Sequence, residues 1–421
     1  MKKILIAILF CTASILNAQE VPDNNLSAWI RENPQRASLN LHTYEFNEVH
    51  DTPAPKGYKP FYISHYGRHG SRSSGNKEYL KLKNILIKAQ ADGQLTPAGE
   101  KVLAVTELAI QAHAGMDGHL TERGRYEHAM LAERMYKRYP EVFKKGNKKI
   151  FAVSSTVPRC LVSMCAFTNR LMALQSDLEI DLETGELYMK YIGRGEGDKI
   201  REVVPPVTDS LKKLSAPDTT AILSVLFKDP VGARKYMKKS YSLTSYVNTL
   251  AGTIQAFDID EDIFSLLPES VIYYYAERSA LNFYLHHGNS ARFGDYRIPR
   301  ASRVADDIIT RANEVINGAE RVADLRFGHD WPLLALMGYL GLEGVSERLT
   351  IDEARGYWNP GLYVPFAGNL QIILYRNKQN DVLVKFLLNE KETLIPALTP
   401  VSGPYYKWSD FVSMINASAK S

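Results

Sequence analysis

Arg68, His69 and Arg72 fall together in Arg68-His69-Gly70-Ser71-Arg72. Two guanidiniums at this spacing each offer a planar fork of donors, which matches the oxygens of a tetrahedral oxyanion bidentately. A histidine between them can accept a phosphoryl group at a ring nitrogen and so divide one hard hydrolysis into two displacements. The flanking cations lower its pKa, leaving a neutral, nucleophilic ring in mildly acidic solution. A histidine that merely closes a strand has no need of them.

Two further places could complete that chemistry. Arg159, in Ser154-Ser155-Thr156-Val157-Pro158-Arg159, is a candidate third phosphate ligand, set against the ordinary surface role of most arginines in a chain with 51 basic residues. His329 and Asp330 end the run Leu325-Arg326-Phe327-Gly328. A carboxyl group there can protonate a leaving alkoxide and, once deprotonated, activate water. An ordinary aspartic acid is ionised at neutral pH, so this role favours acid conditions or a raised pKa. His329 can donate to phosphoryl oxygens. Asp330 could equally cap a helix that starts near Pro332.

These groups must be held by strand ends and helix starts. The pattern predicts a strand at 60–66 before Arg68, a second at 150–154 and a third at 321–327. Helical patterns cover 77–91, 97–114 and 121–138, the last two opened by Thr96 and Thr121 caps. Another runs to about 174 with Ser155 or Thr156 as its cap. Residues 19–55 read as an irregular arm. From 175 to 319 a short β-like stretch (187–192) precedes helix-length segments at 198–214, 218–227, 230–252, 268–287 and 300–318. A helix at 332–340 and a hairpin of 370–376 with 382–388 follow. The expectation is a mixed α/β core with a mostly helical cap. It divides into a core at 19–174, a cap at 175–319 and returning core at 320–421.

The composition, 45% hydrophobic and 23% charged over 421 residues, suits a globular protein. Lys2 and Lys3, an apolar run and Leu16-Asn17-Ala18 make residues 1–18 a secretory leader, and a periplasmic or secreted protein the expectation. Bulky Leu9 and Phe10 argue against lipidation at Cys11. Loss of Lys2 and Lys3 halves the formal charge of +4, which gives no support to nucleic-acid binding. No later apolar run is long enough for a membrane span. Cys160 and Cys165 lie on different faces of one helix and are expected to be buried thiols rather than a disulfide.

Arg68-His69-Gly70-Ser71-Arg72, Arg159 and the downstream His329-Asp330 together resemble the histidine acid phosphatases, which include phytases, glucose-1-phosphatases and multiple inositol polyphosphate phosphatases. The resemblance implies a phosphoglycerate mutase-like three-layer core with an inserted helical cap. It also implies His69 as the phosphohistidine nucleophile and Asp330 as proton donor. Arg68, Arg72, Arg159 and His329 would form the phosphate pocket, and no metal or organic cofactor is implied. The partner would be a small phosphomonoester. A mutase on the same core and a non-catalytic phospholigand-binding protein are the competing readings.

Three departures stand out. Ser74 replaces a frequent proline, Trp331-Pro332 replaces the Thr-Asn of many phytases, and His329-Asp330-Trp331 stands where inositol polyphosphate phosphatases usually carry His-Ala-Glu. The first two alter the leaving-group side, and the third sets the chain apart from that subgroup. Further cations for a polyphosphate would come from Lys77, Arg194, Lys199 or Arg201, which otherwise read as solvated surface charges.

Overall fold

The Phe61–Tyr66 run is apolar on both faces because it lies in the middle of a covered sheet, and its strand is buried over its last seven positions. The structure, a computed structural model, describes residues 25–144, 146–193, 211 and 214–418. Its strands are β1 (Lys59–Arg68), β2 (Lys149–Ser154), β3 (Glu179–Thr184), β4 (Ala323–Gly328), β5 (Asn369–Arg376), β6 (Val382–Leu388), β7 (Lys391–Thr393) and β8 (Tyr406–Lys407). They form one sheet in the order β3-β2-β4-β1-β5-β6-β7, with β8 on β6. From β3 to β1 the pairing is parallel, and from β1 to β7 it is antiparallel. The carboxyl ends of β1, β2 and β4 therefore open at one edge, where α/β sheets bind ligands.

The helices before the cap are α1 (Asn25–Glu32), α2 (Lys77–Ala91), α3 (Pro97–His113), α4 (Glu122–Arg138), α5 (Pro140–Lys144) and α6 (Pro158–Leu174). After them come α7 (Ala221–Leu226), α8 (Ser240–Thr253), α9 (Glu269–His287), α10 (Ser302–Ile316) and α11 (Asp330–Tyr339). Alternation along β1 separates two cores. Tyr62 and Tyr66 pack with Val304 and Ile308 of α10 and Leu333 and Leu336 of α11. Ile63 turns to the other face, with Leu131 of α4 and Phe167 of α6. The sheet is thus sandwiched between helices, the three-layer core expected.

A third core has no strand in it. Leu82 and Leu86 of α2, Val102 of α3, Ile222 of α7, Val247 of α8 and Ile272 of α9 close on one another. The cap is therefore assembled from 77–113 as well as from 221–280. Conversely, β3 and α10, both within the stretch 175–319, belong to the sheet and to its covering layer. Sequence continuity misleads here because burial is decided by which apolar faces meet, not by where they fall along the chain.

Several local expectations need correction. The supposed irregular arm contains α1 and a 3-10 segment, Pro34–Leu41, interrupted by Leu39 at φ 54°. The β-like stretch at 187–192 is a 3-10 turn, and the edge strand β3 was missed because its exposed EIDLET lacks a buried face. Segment 230–252 splits into Gly232–Tyr236 and α8. Helix α6 starts from Val157 with no side-chain cap, Pro158 supplying its first turn. The leader and most of 198–214 lie outside the described residues.

A buried polar hub ties β1 to β4 and α10. Asp324 accepts from Tyr62 Oη at 2.6 Å, Arg321 Nε at 2.7 Å and Arg311 Nη1 at 3.1 Å. Asp324→Ala leaves these donors unpaired and is expected to cost about 3 kcal/mol, the scale of a broken buried ion pair. Urea unfolding measures it, and an unchanged midpoint would show that the hub carries no stability.

Candidate active site

Parallel pairing of β1 with β4 sets Arg68 opposite Gly328, so the residues that follow each strand emerge side by side. His69 N–H donates to Gly328 O at 2.9 Å, and Ser155 N–H after β2 donates to Phe327 O at 2.9 Å. The three turns are laced together by backbone. The first is also held very close to α4. A Cβ on Gly70 would lie 2.5 Å from Gly124 O, and one on Gly124 would lie 2.3 Å from Ser71 O. Glycine at both positions permits this crossing. Glu127, wholly buried on α4, accepts from Ser71 N and Oγ, each at 2.7 Å, and from Tyr44 N at 3.1 Å.

His69 is 2% exposed, and its Nδ1 lies 2.9 Å from Gly70 O. A carbonyl can only accept, so Nδ1 carries the proton and Nε2 presents its lone pair. Burial first, then the charges of Arg68 and Arg159, hold the ring well below the usual histidine pKa. The ring lies 5.6 Å from that of His329, edge to face.

The predicted cations come together around it. Arg68 is 1% exposed, lies over the Phe366 ring at 4.6 Å, and donates to Val364 O at 2.7 Å and to Asn40 O. Burial, with Arg72 and Arg159 nearby, brings its pKa down to about 10 against the pull of Asp330. Arg72 donates Nη1 to Ser73 O at 3.0 Å. Arg159 comes from the first turn of α6. The Nε donors of Arg68, Arg72 and Arg159 are all buried without a hydrogen-bond partner among the described residues. Three such donors in mutual electrostatic range call for an oxyanion.

His329 Nε2 sits 3.1 Å from Ser155 Oγ and 3.6 Å from the Cys160 thiol, which in turn points at Gly328 O at 3.2 Å. Ser155, expected to cap α6, thus orients a site histidine instead. Neither cysteine is in a disulfide, Cys160 being buried and Cys165 half-buried. His329 is the N-cap residue of α11 and Asp330 its first residue, where the carboxylate accepts from Trp331 N–H at 2.9 Å.

Asp330 pairs with Arg68 Nη2 at 3.0 Å and accepts from Asn40 Nδ2 at 3.0 Å. Burial pushes its pKa up, but Arg68, His287, Asn40 and the Trp331 amide outweigh it and hold the carboxyl below the usual range. The raised pKa suited to a proton donor is therefore not supplied by the protein groups alone. Asn40, Glu127 and Phe366 were not foreseen. Their contacts come from a 3-10 turn, a helix and the loop before β5, none of which carries a local motif.

Four buried histidines and the half-buried His287 share one electrostatic signature. Burial takes His65 and His128 down to about 3 and His113 and His287 to about 4, while His69 is also depressed. A depressed folded pKa favours the neutral ring. Its stabilisation is complete above the ordinary value of 6.5 and is lost as pH falls through the window toward the folded value. Each ring then costs about 1.4 kcal/mol per pH unit. His128→Phe, set beside Phe327, is expected to remove one ring's share of the acid loss between pH 6.5 and 4.5. Urea midpoints across that range test this, and an unchanged pH slope would count against it.

A sequence profile of the histidine phosphatase superfamily, branch 2, matches residues 67–224 and 234–389. Human multiple inositol polyphosphate phosphatase 1 is 26% identical over 368 residues, covering 77% of this chain and 73% of the human protein. The apo multiple inositol polyphosphate phosphatase of Bifidobacterium longum superposes with a TM-score of 0.76 at 18% identity, over 90% of this chain and 97% of that one. The phytase of D. castellii does so at 0.69 and 15%, over 92% and 86%. The matched relatives thus include the subgroup whose His-Ala-Glu this chain replaces with His329-Asp330-Trp331. With the profile spanning most of the chain and the arginine-histidine pocket formed at the strand ends, this protein belongs to branch 2 of the histidine phosphatase superfamily and is an acid phosphomonoesterase.

Proposed function

We propose that this protein is an exported phosphatase of inositol polyphosphates that works through a phosphohistidine on His69. The observation that carries the mechanism is the Nδ1 contact to Gly70 O at 2.9 Å, which leaves Nε2 free beside three unpartnered guanidinium Nε donors. The substrate class rests on the human relative named for inositol polyphosphates and on its coverage of most of both chains. Export rests on the leader-like residues 1–18. No helix among the described residues is long and apolar enough to cross a membrane.

In the first step His69 Nε2 forms a bond to phosphorus while the ester P–O bond breaks. Arg68, Arg72, Arg159 and His329 take up charge on the phosphoryl oxygens. Asp330 gives its proton to the leaving oxygen. It can hold that proton because a bound phosphate dianion competes for Arg68 and adds negative charge beside the carboxyl, lifting the pKa that Arg68 depresses in the empty site. In the second step water attacks phosphorus, the N–P bond breaks and the carboxylate recovers a proton. Three arginines and a histidine supply the positive charge for which many phosphoryl-transfer sites use magnesium.

The test is p-nitrophenyl phosphate hydrolysis at pH 4–7 with chelator present. His69→Ala is expected to fall to background, and Asp330→Asn to lose about 10²- to 10⁴-fold in kcat. Hydrolysis surviving in His69→Ala, or lost to the chelator, would overturn the mechanism. Release of inorganic phosphate from inositol hexakisphosphate tests the substrate class.

A further inference from the structure

Two buried arginines outside the His69 pocket behave in opposite ways. Arg326, 2% exposed, is matched by Asp307 and by Ser64 Oγ at 3.2 Å. Such a cation is structural. Arg297, equally 2% exposed, has no hydrogen-bond partner on Nε, Nη1 or Nη2 among the described residues. It stands between two 3-10 turns, Gly294–Tyr296 and Ile298–Ala301, that link α9 to α10. Asp295, the neighbouring carboxylate, is instead engaged by Arg348. A guanidinium out of water with its donors unspent is poised for an anion.

Its position says which anion. The ring of His287, at the end of α9, feels the charges of Arg297, Arg300 and Asp330 together. That ring also lies parallel to Trp331 at 6.4 Å. The arginine-bearing turns are thus coupled to the first residues of α11, on the proton-donor side of the site rather than on the His69 side. Trp331 is one of the residues at which this chain departs from its relatives' pattern. The segment leading to Gly193 packs on the same helix start, a Cβ there lying 3.1 Å from Pro332 Cβ. Lys77, proposed from sequence as an extra cation, is exposed, whereas Arg297 is enclosed.

We infer that Arg297, with Arg300 and His287 beside it, is a second anion site that takes a further phosphate carried by the leaving alcohol. The inference rests on the proposed phosphomonoesterase reading and deepens it. A substrate with one phosphate fills the His69 pocket alone, while a polyphosphate engages both. The site would therefore enter substrate choice rather than bond cleavage.

The test compares Arg297→Met with the unaltered protein on inositol hexakisphosphate and on p-nitrophenyl phosphate, with thermal melting as a second readout. The ratio of kcat/KM for the hexakisphosphate to that for the monoester is expected to fall about ten- to a hundredfold, the scale of charge-assisted hydrogen bonds. The loss should lie mainly in KM. The unliganded melting temperature should hold or rise, because a structural cation would lower it when removed. The rise in melting temperature given by the hexakisphosphate should shrink. An unchanged ratio, or weaker competitive inhibition by inorganic phosphate, would overturn the inference, the latter by placing Arg297 in the primary pocket. Absence of monoester hydrolysis in the unaltered protein would instead defeat the underlying phosphatase reading.

Discussion

The parallel register of β1 on β4 is the constraint on which the site depends. It places Arg68 beside Gly328, so that His69 near the start of the chain and the Asp330 carboxyl far downstream emerge from adjacent strand ends. Arg68 then pairs with Asp330 at 3.0 Å across that junction. A slip of one residue would turn every side chain of β1 to the opposite face, exchanging the tyrosine-lined core with the one that receives Ile63. The bond of Tyr62 to Asp324 bridges the same pair of strands, with Arg311 of α10 and Arg321 just before β4 bracing it, and guards the same register.

Charge is handled differently at three depths of the molecule. Below the site, both terminal nitrogens of Arg326 are engaged, by Ser64 and Asp307. At the site, Arg68 is paired with Asp330 but keeps Nε unspent, as do Arg72 and Arg159. These partly satisfied cations lie where an oxyanion has to enter, and they keep His69 neutral in acid. Near the start of α11, Arg297 is enclosed with no hydrogen-bond partner among the described residues. Buried positive charge left unmatched is costly, so its distribution marks where anions are received.

Asp330 is set by the charges around it. Its pairing with Arg68 and Asn40 outweighs burial and depresses a pKa that the proposed proton transfer needs raised. The arrangement is coherent if phosphate itself changes the balance, since a dianion next to Arg68 weakens the hold on the carboxylate. In the proposed mechanism the acid is then armed by substrate rather than by burial alone.

The local chemistry was legible in the chain itself. Arg68, His69, Arg72, Arg159, His329 and Asp330 could be picked out because strand-to-turn transitions put reactive types at strand ends, and the helices at 77–91 and 121–138 could be read from apolar spacing and their starts. What could not be read were contacts made by residues with no local signature. Asn40 reaches Asp330 from an irregular 3-10 turn, Phe366 lies under Arg68 from a loop, and the cap recruits α2 and α3 because their apolar faces meet those of α7 and α8. Arg297 carries no local signature, and only the fold shows it enclosed without a hydrogen-bond partner among the described residues. Periodicity and residue type are properties of a short window, whereas burial, pairing and pKa are set by groups that only folding brings together.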